Sequence, residues 1–171
     1  DMDIDLQGYS EINIDTTKFH IRQKLNDTLQ NIDRYSRGIW SSSQVTSKNT
    51  YKPGGTGTIT FRNTTSRIKN SGHDPLGRWS YFILDAKGNR DILFITIYQS
   101  SNPPTNPHGN SAYSQQEIML TMMNKSDTNP RRNFYKDLHH FLQKMMKTQT
   151  MRIPIIMGDW NEECKNSSSS S

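Results

Sequence analysis

A single cysteine, Cys164, stands in 171 residues, which excludes an internal disulfide framework and any cysteine-based zinc site. That scarcity agrees with a reducing compartment. No apolar run approaches the roughly 18 residues of a membrane-spanning helix. The opening "DMDIDLQGYS" is acidic and lacks the basic and apolar regions of a secretory leader. The expectation is an intracellular protein, nuclear or cytoplasmic, with no membrane partner. Apolar residues are also few, 31% of the chain. Counting the glycines gives about 37%, against roughly 45–50% in typical soluble domains. Disorder requires low hydrophobicity together with high net charge, and +5 with mixed signs is not high. The length suits one ordinary domain, so the thin core leads to the expectation that part of the folding unit lies outside this chain. The excess of 21 Lys and Arg over 16 Asp and Glu is compatible with a polyanionic partner.

What is present alternates between strand and helix signals. "IDLQGY" (4–9) reads as a strand, and the segment after it sets Ile21, Leu25, Leu29 and Ile32 at helical spacing, with Asp15, Thr16 and Thr17 as possible caps. "SSSQVTSKNTYKPGG" reads as loop and "TGTITF" (56–61) as strand. "RWSYFILDA" and "RDILFITIYQ" are β-rich runs joined by "KGN", a hairpin signal. The prolines of "QSSNPPTNPHGN" (99–110) require an irregular loop. A short helix is expected over "YSQQEIMLTMMNK". A second follows from Pro130, with Phe134, Leu138, Phe141 or Leu142, and Met145 on one face. "RIPIIM" is the last strand, and "GDWNEE" the loop beyond it. This order argues for a layered α/β domain.

Chemistry-bearing residues gather at the ends of these strands. Glu11 follows the first, Tyr98 ends the second strand of the hairpin, and Asp159 and Asn161 follow the last. Arg78 begins the first strand of the hairpin, and antiparallel pairing brings it to the same edge as Tyr98. Ligands of layered α/β folds collect at the carboxyl ends of strands. If the strands run the same way, two carboxylates, an amide, a phenol and a guanidinium share one rim. Such a rim suits phosphodiester cleavage: Mg²⁺ takes one or two carboxylates and several waters, and an amide touches a phosphate oxygen without adding like charge. Each residue also has a plainer reading. Gly-Asp-x-Asn suits a turn, Glu11 a solvent-facing loop acid, Tyr98 packing, and Arg78 the bracing of a loop. His139 and His140 have no partners at metal spacing and read as structural, and His73 reads as part of a turn. There is no Gly-x-Ser-x-Gly elbow and no P-loop.

"SEIN" after a strand, "YKPGGTGTI", "DPLGRWSYF", "LFITIYQ" and "IIMGDWNE", in that order, resemble the endonuclease/exonuclease/phosphatase superfamily, which includes abasic-site endonucleases, deoxyribonucleases and the endonuclease domains of retrotransposons. The resemblance runs from residue 3 to about residue 163. It implies a partial domain over 1–163 and a polar Ser-rich tail over 164–171. It also implies an incomplete four-layer α/β sandwich, two mixed sheets flanked by helices, and Mg²⁺- or Mn²⁺-dependent hydrolysis of a phosphoester. By the same resemblance Glu11 matches the metal-binding Glu, and Asp159 and Asn161 the Asp and Asn that orient the nucleophile and touch phosphate. Tyr98 matches the Tyr ending the strand before a variable loop, and Arg78 the Arg of a site-shaping or substrate-binding "GR" element. Gly54 and Gly55 match a structural paired-Gly turn.

Two motifs of that family have no counterpart: an opening strand with an Asn that helps hold the metal, and a closing "SDH" whose His contacts the scissile phosphate. The chain thus resembles a truncated copy or a piece of a longer frame, expected to turn over poorly by itself. "SAYSQQEIML" followed by "NPRRNFYKDLHHFL" has the look of retroelement-type members, and with the positive charge it favours DNA as partner. The alternatives are an inositol-phosphate- or sphingolipid-type phosphoesterase of the same superfamily, or a non-catalytic remnant.

Overall fold

The computed structural model describes residues 4–46, 48, 50–103 and 110–162. Its elements in chain order are β1 (Leu6–Ser10), α1 (Phe19–Ile32), β2 (Arg37–Ser41), β3 (Thr56–Thr60), α2 (Arg62–Thr65), β4 (Ile68–His73), β5 (Trp79–Ala86), β6 (Arg90–Tyr98), α3 (Ala112–Met122), α4 (Pro130–Met146) and β7 (Met151–Asp159). They build two sheets of a mixed α/β fold. The three-stranded sheet has order β1-β3-β2 and the four-stranded sheet β4-β5-β6-β7. The first is antiparallel throughout, and the second is antiparallel except for the parallel β6–β7 pair. One expected mixed sheet is therefore wholly antiparallel. The 164–171 tail lies outside the described residues. No described helix is long and apolar enough to cross a membrane.

Alternation along β5 and β6 assigns their two faces. Trp79 and Ile83 of β5 join Leu93, Ile95 and Ile97 of β6 against Phe134 and Leu138 of α4, with Phe141, Leu142, Met145 and Ile156 packed around them. The α4 stripe is the one its spacing predicts. Its start is fixed by Pro130 and by Asn129, whose side chain accepts the Arg132 N–H. Phe82, Leu84 and Phe94 point the other way, toward the three-stranded sheet, and are buried too. A sheet covered on both faces explains why β5 and β6 read as near-continuous apolar runs.

Hydroxyl groups line much of the seam between the sheets. Thr58 Oγ1 lies 2.8 Å from both Ser80 Oγ and Thr96 Oγ1, and Thr56, Thr58, Ser80 and Thr96 are all fully buried. At Gly8 an added Cβ would stand 2.5 Å from Thr96 Oγ1. The low apolar fraction therefore has a cause inside the described fold, because threonine and serine occupy positions that most sandwiches give to aliphatics.

Two local expectations change, and one stretch without an assignment is a strand. β2 holds Trp40, whose Nε1 donates to Asn26 of α1 at 3.0 Å. β4 arises in polar sequence with a bulge between Ile68 and Asn70, and it carries His73 at its end rather than in a turn. Asp15, Thr16 and Thr17 do not cap α1, whose N-cap is Lys18, a residue that makes no side-chain capping hydrogen bond. Asp15 instead accepts from Thr17 and pairs with Lys52, Nζ to Oδ1 2.8 Å.

Candidate functional site

The carboxyl ends of β1, β6 and β7 meet at one rim. In the parallel register Tyr98 stands opposite Asp159, which satisfies the co-direction of these two strands. β1 belongs to the other sheet and is tied in by Ser10. Its Oγ donates to the Ile97 carbonyl at 2.7 Å and accepts the Asp159 N–H at 3.1 Å. Glu11, the next residue, thus faces Tyr98, and the Tyr98 hydroxyl donates to Glu11 Oε1 at 3.5 Å. Gly158 makes the approach possible: at φ +136° it packs on the backbone of Ile97 so closely that a Cβ would collide with the Ile97 carbonyl.

Asp159 is the last residue of β7, two residues later than the expected end of the strand, and Asn161 follows in the loop beside the same open cleft. Asp159 Oδ1 accepts the Asn161 N–H at 2.9 Å, and Asn161 Nδ2 donates to the Gln99 carbonyl at 2.6 Å. Asn161 has φ +46°. Arg131 secures the loop from α4, donating to the carbonyls of Ser100 (2.7 Å) and Asn161 (3.1 Å) and to Glu162 (2.7 Å).

The Glu11 loop is held as firmly. Glu11 and Asn13 both have φ +56°, a conformation that side-chain-bearing residues keep only where the surroundings enforce it. Enforcement comes from the paired glycines. Ile12 and Asn13 donate their N–H groups to Gly55 and Gly54, and Gly54 donates its own to Asn13 Oδ1 at 3.0 Å. Gly54, at φ +82°, leaves no room for a side chain, since its Cβ would lie 2.9 Å from the Tyr98 ring. The buried Lys52–Asp15 pair anchors the same two segments one step further back, with Lys52 also donating to the Ser43 carbonyl at 2.7 Å.

The local charge is negative. Burial raises the pKa of the Tyr98 hydroxyl, and the charges of Glu11 and Asp159 push it further in the same direction, well above that of an ordinary phenol. No Lys or Arg ion-pairs with Glu11 or Asp159 among the described residues. Two uncompensated carboxylates in an all-oxygen setting fit a hard divalent cation held with several waters. No group of three or more His, Cys, Asp or Glu gathers at metal distance among the described residues.

Arg78 lies behind the rim. Its guanidinium is buried, with Nε and Nη2 on Asp74 (2.8 and 3.0 Å) and Nη1 on Asp137 (2.9 Å), while its carbonyl accepts the Tyr98 N–H at 2.7 Å. All three nitrogens are taken, and the contact with Tyr98 is through backbone. His139 and His140 are exposed on α4.

Sequence reasoning missed Ser10, Asn13, Gln99 and Arg131. For Ser10 and Asn13 a signal existed, since both flank Glu11 in "SEIN". Gln99 and Arg131 act through a carbonyl and across 30 residues, which no local pattern reveals. No family model and no curated protein matches this chain.

Proposed function

We propose that this chain carries the core of a divalent-metal-dependent phosphodiesterase site of the endonuclease/exonuclease/phosphatase kind, acting on DNA. One observation carries the reading: Glu11, Tyr98 and the Asp159–Asn161 loop, from three segments each about 60 residues or more from the next in sequence, meet at one rim with two unneutralised carboxylates. Glu11 would hold Mg²⁺ or Mn²⁺, which when bound supplies charge neutralisation at the phosphate. Asp159 would align the attacking water and accept its proton as the new P–O bond forms, while the opposite P–O ester bond breaks and the departing alkoxide takes a proton from solvent. The Asn161 amide contacts a non-bridging oxygen. Tyr98 keeps its proton throughout the neutral range and so acts as a donor, never as a base.

The test is nicking of supercoiled plasmid in Mg²⁺, run beside an inositol phosphate and sphingomyelin vesicles. The reading predicts slow nicking that disappears in EDTA and in Asp159→Asn. Equal rates for the native chain and Asp159→Asn would overturn it, and preferential turnover of the inositol or sphingolipid substrate would move the site to the other branch of the superfamily. If DNA is bound, affinity falls steeply with salt as phosphate contacts release counterions.

A further inference from the structure

Trp160 lies between the two polar residues of the rim, and it is the odd one among the three tryptophans. Trp40 and Trp79 are 8% and 5% exposed, whereas Trp160 is 37% exposed. Indole is large and apolar, so burial is its ordinary fate. Its ring is nevertheless fixed. Tyr135 stacks on it with centroids 6.5 Å apart and planes 13° from parallel, and Phe134 meets it edge-on at 6.0 Å and 89°. Tyr135 is itself tied down by its hydroxyl, which donates to Glu162 Oε1 at 2.9 Å and lies 3.2 Å from Gln99 Oε1. The remaining indole surface borders an open cleft of about 630 Å³, together with Asp159, Asn161, Arg131 and Asn102.

We propose that Trp160 is a stacking platform for an unpaired nucleobase, so that this site takes single-stranded or locally unpaired nucleic acid. The proposal rests on the phosphodiester reading of Asp159 and Asn161, and it adds the class of substrate. Trp160 is bonded in sequence to both residues, so a ligand whose phosphate lies at the rim carries its neighbouring base within reach of the ring. Stacking suits any base, because each has a π-face. A ring already held by Tyr135 and Phe134 loses little freedom on binding, which strengthens the contact. An inositol headgroup presents no aromatic face for such a ring, a choline headgroup would meet it by cation–π attraction rather than by stacking, and a fully paired duplex keeps its bases stacked on one another.

The experiment is a fluorescence titration of the full chain in EDTA, where no metal-dependent cleavage intervenes. The probes are an oligothymidylate octamer and an octamer of the same length whose sugars carry no bases, each carrying a fluorescein label whose anisotropy gives its affinity for every variant independently of tryptophan quenching. Because the other two tryptophans are buried, quenching by a base reports Trp160. The expected result is saturable quenching by the thymidylate and none by the abasic strand. Trp160→Ala should bind thymidylate about tenfold more weakly yet bind the abasic strand as the native chain does, and Trp160→Phe should recover most of the loss. Emission from Trp40 and Trp79 verifies that the variants are folded. Equal quenching by both strands, or equal thymidylate affinity in Trp160→Ala, overturns the proposal while leaving the phosphodiester reading in place. Absence of binding to either strand overturns the stacking proposal, and the phosphodiester reading is decided separately by the nicking assay in Mg²⁺.

Discussion

The Ser10 hydroxyl accepts the backbone N–H of Asp159 at 3.1 Å while donating to the Ile97 carbonyl at 2.7 Å. One side chain from the antiparallel sheet thus fixes where the last strand of the other sheet ends, and with it the distance between two acids separated by almost 150 residues of chain. Replacing Ser10 by Ala leaves two backbone groups without this partner. The expected cost is about 1–3 kcal/mol in urea unfolding, together with weaker divalent-metal binding. A Ser10→Ala variant with native stability and native metal affinity would show that the bridge is dispensable.

Tyr98 is expected to ionise far above an ordinary phenol, since burial and the charges of Glu11 and Asp159 all oppose its anion. Absorbance at 295 nm should show a late-titrating fraction that shrinks in Tyr98→Phe. The linkage sign follows. The unfolded chain loses this proton near pH 10 while the folded chain keeps it, so above that pH the unfolded state binds fewer protons and stability falls as pH rises. Tyr98→Phe should flatten that alkaline decline.

Lys52 and Asp15 form an ion pair with both side chains essentially out of solvent. Burial pushes the Asp15 carboxyl up, but hydrogen bonds from Lys52 and Thr17 and the lysine's charge outweigh it and hold the group below the usual carboxylate range. A lowered folded value means that the contribution to stability is present above about pH 3.9 and is lost as pH falls through the folded value. Lys52→Met leaves a buried carboxylate unpaired and should cost about 3–5 kcal/mol at pH 7. It should also shrink the acid-side slope, measured by urea unfolding at neutral pH and near pH 3.

Arg78→Met strands Asp74 and Asp137 without their shared cation, and the expected loss is again about 3–5 kcal/mol. Because the guanidinium is fully occupied by those two acids, Mn²⁺ affinity of the folded variant should stay native. A variant of normal stability with reduced affinity for metal or oligonucleotide would instead assign Arg78 a direct contact.

Much of this arrangement was legible in the sequence because strong periodicity and strand-end position are local properties. The α4 stripe from Phe134 to Met145, the hairpin of β5 and β6, and the placement of Glu11, Tyr98 and Asp159 at or just beyond strand ends all follow from short windows. β2 and β4 were illegible because each is short and sets only Ile39 and Trp40, or only Ile68, among Arg, Gly, Ser, Asn, Lys and His, and pairing across the sheet supplies what so weak a strand signal lacks. The cap of α1 was misread because Asp15, a good N-cap residue, is drawn away by Lys52, a partner 37 residues distant. The seam of Thr58, Ser80 and Thr96 shows the same limit: its hydroxyls look solvent-facing until three strands bring them together.

The proposed holding of a divalent cation by Glu11 beside Asp159 is open to direct measurement by Mn²⁺ titration followed by electron paramagnetic resonance. Removing even a group that merely supports a metal ligand commonly weakens binding about 10–100-fold. A saturable Mn²⁺ site is therefore expected in the native chain, competed by Mg²⁺ and weakened by roughly tenfold or more in Glu11→Gln. A native chain with no saturable site, or Glu11→Gln binding Mn²⁺ as tightly as the native chain, would contradict it.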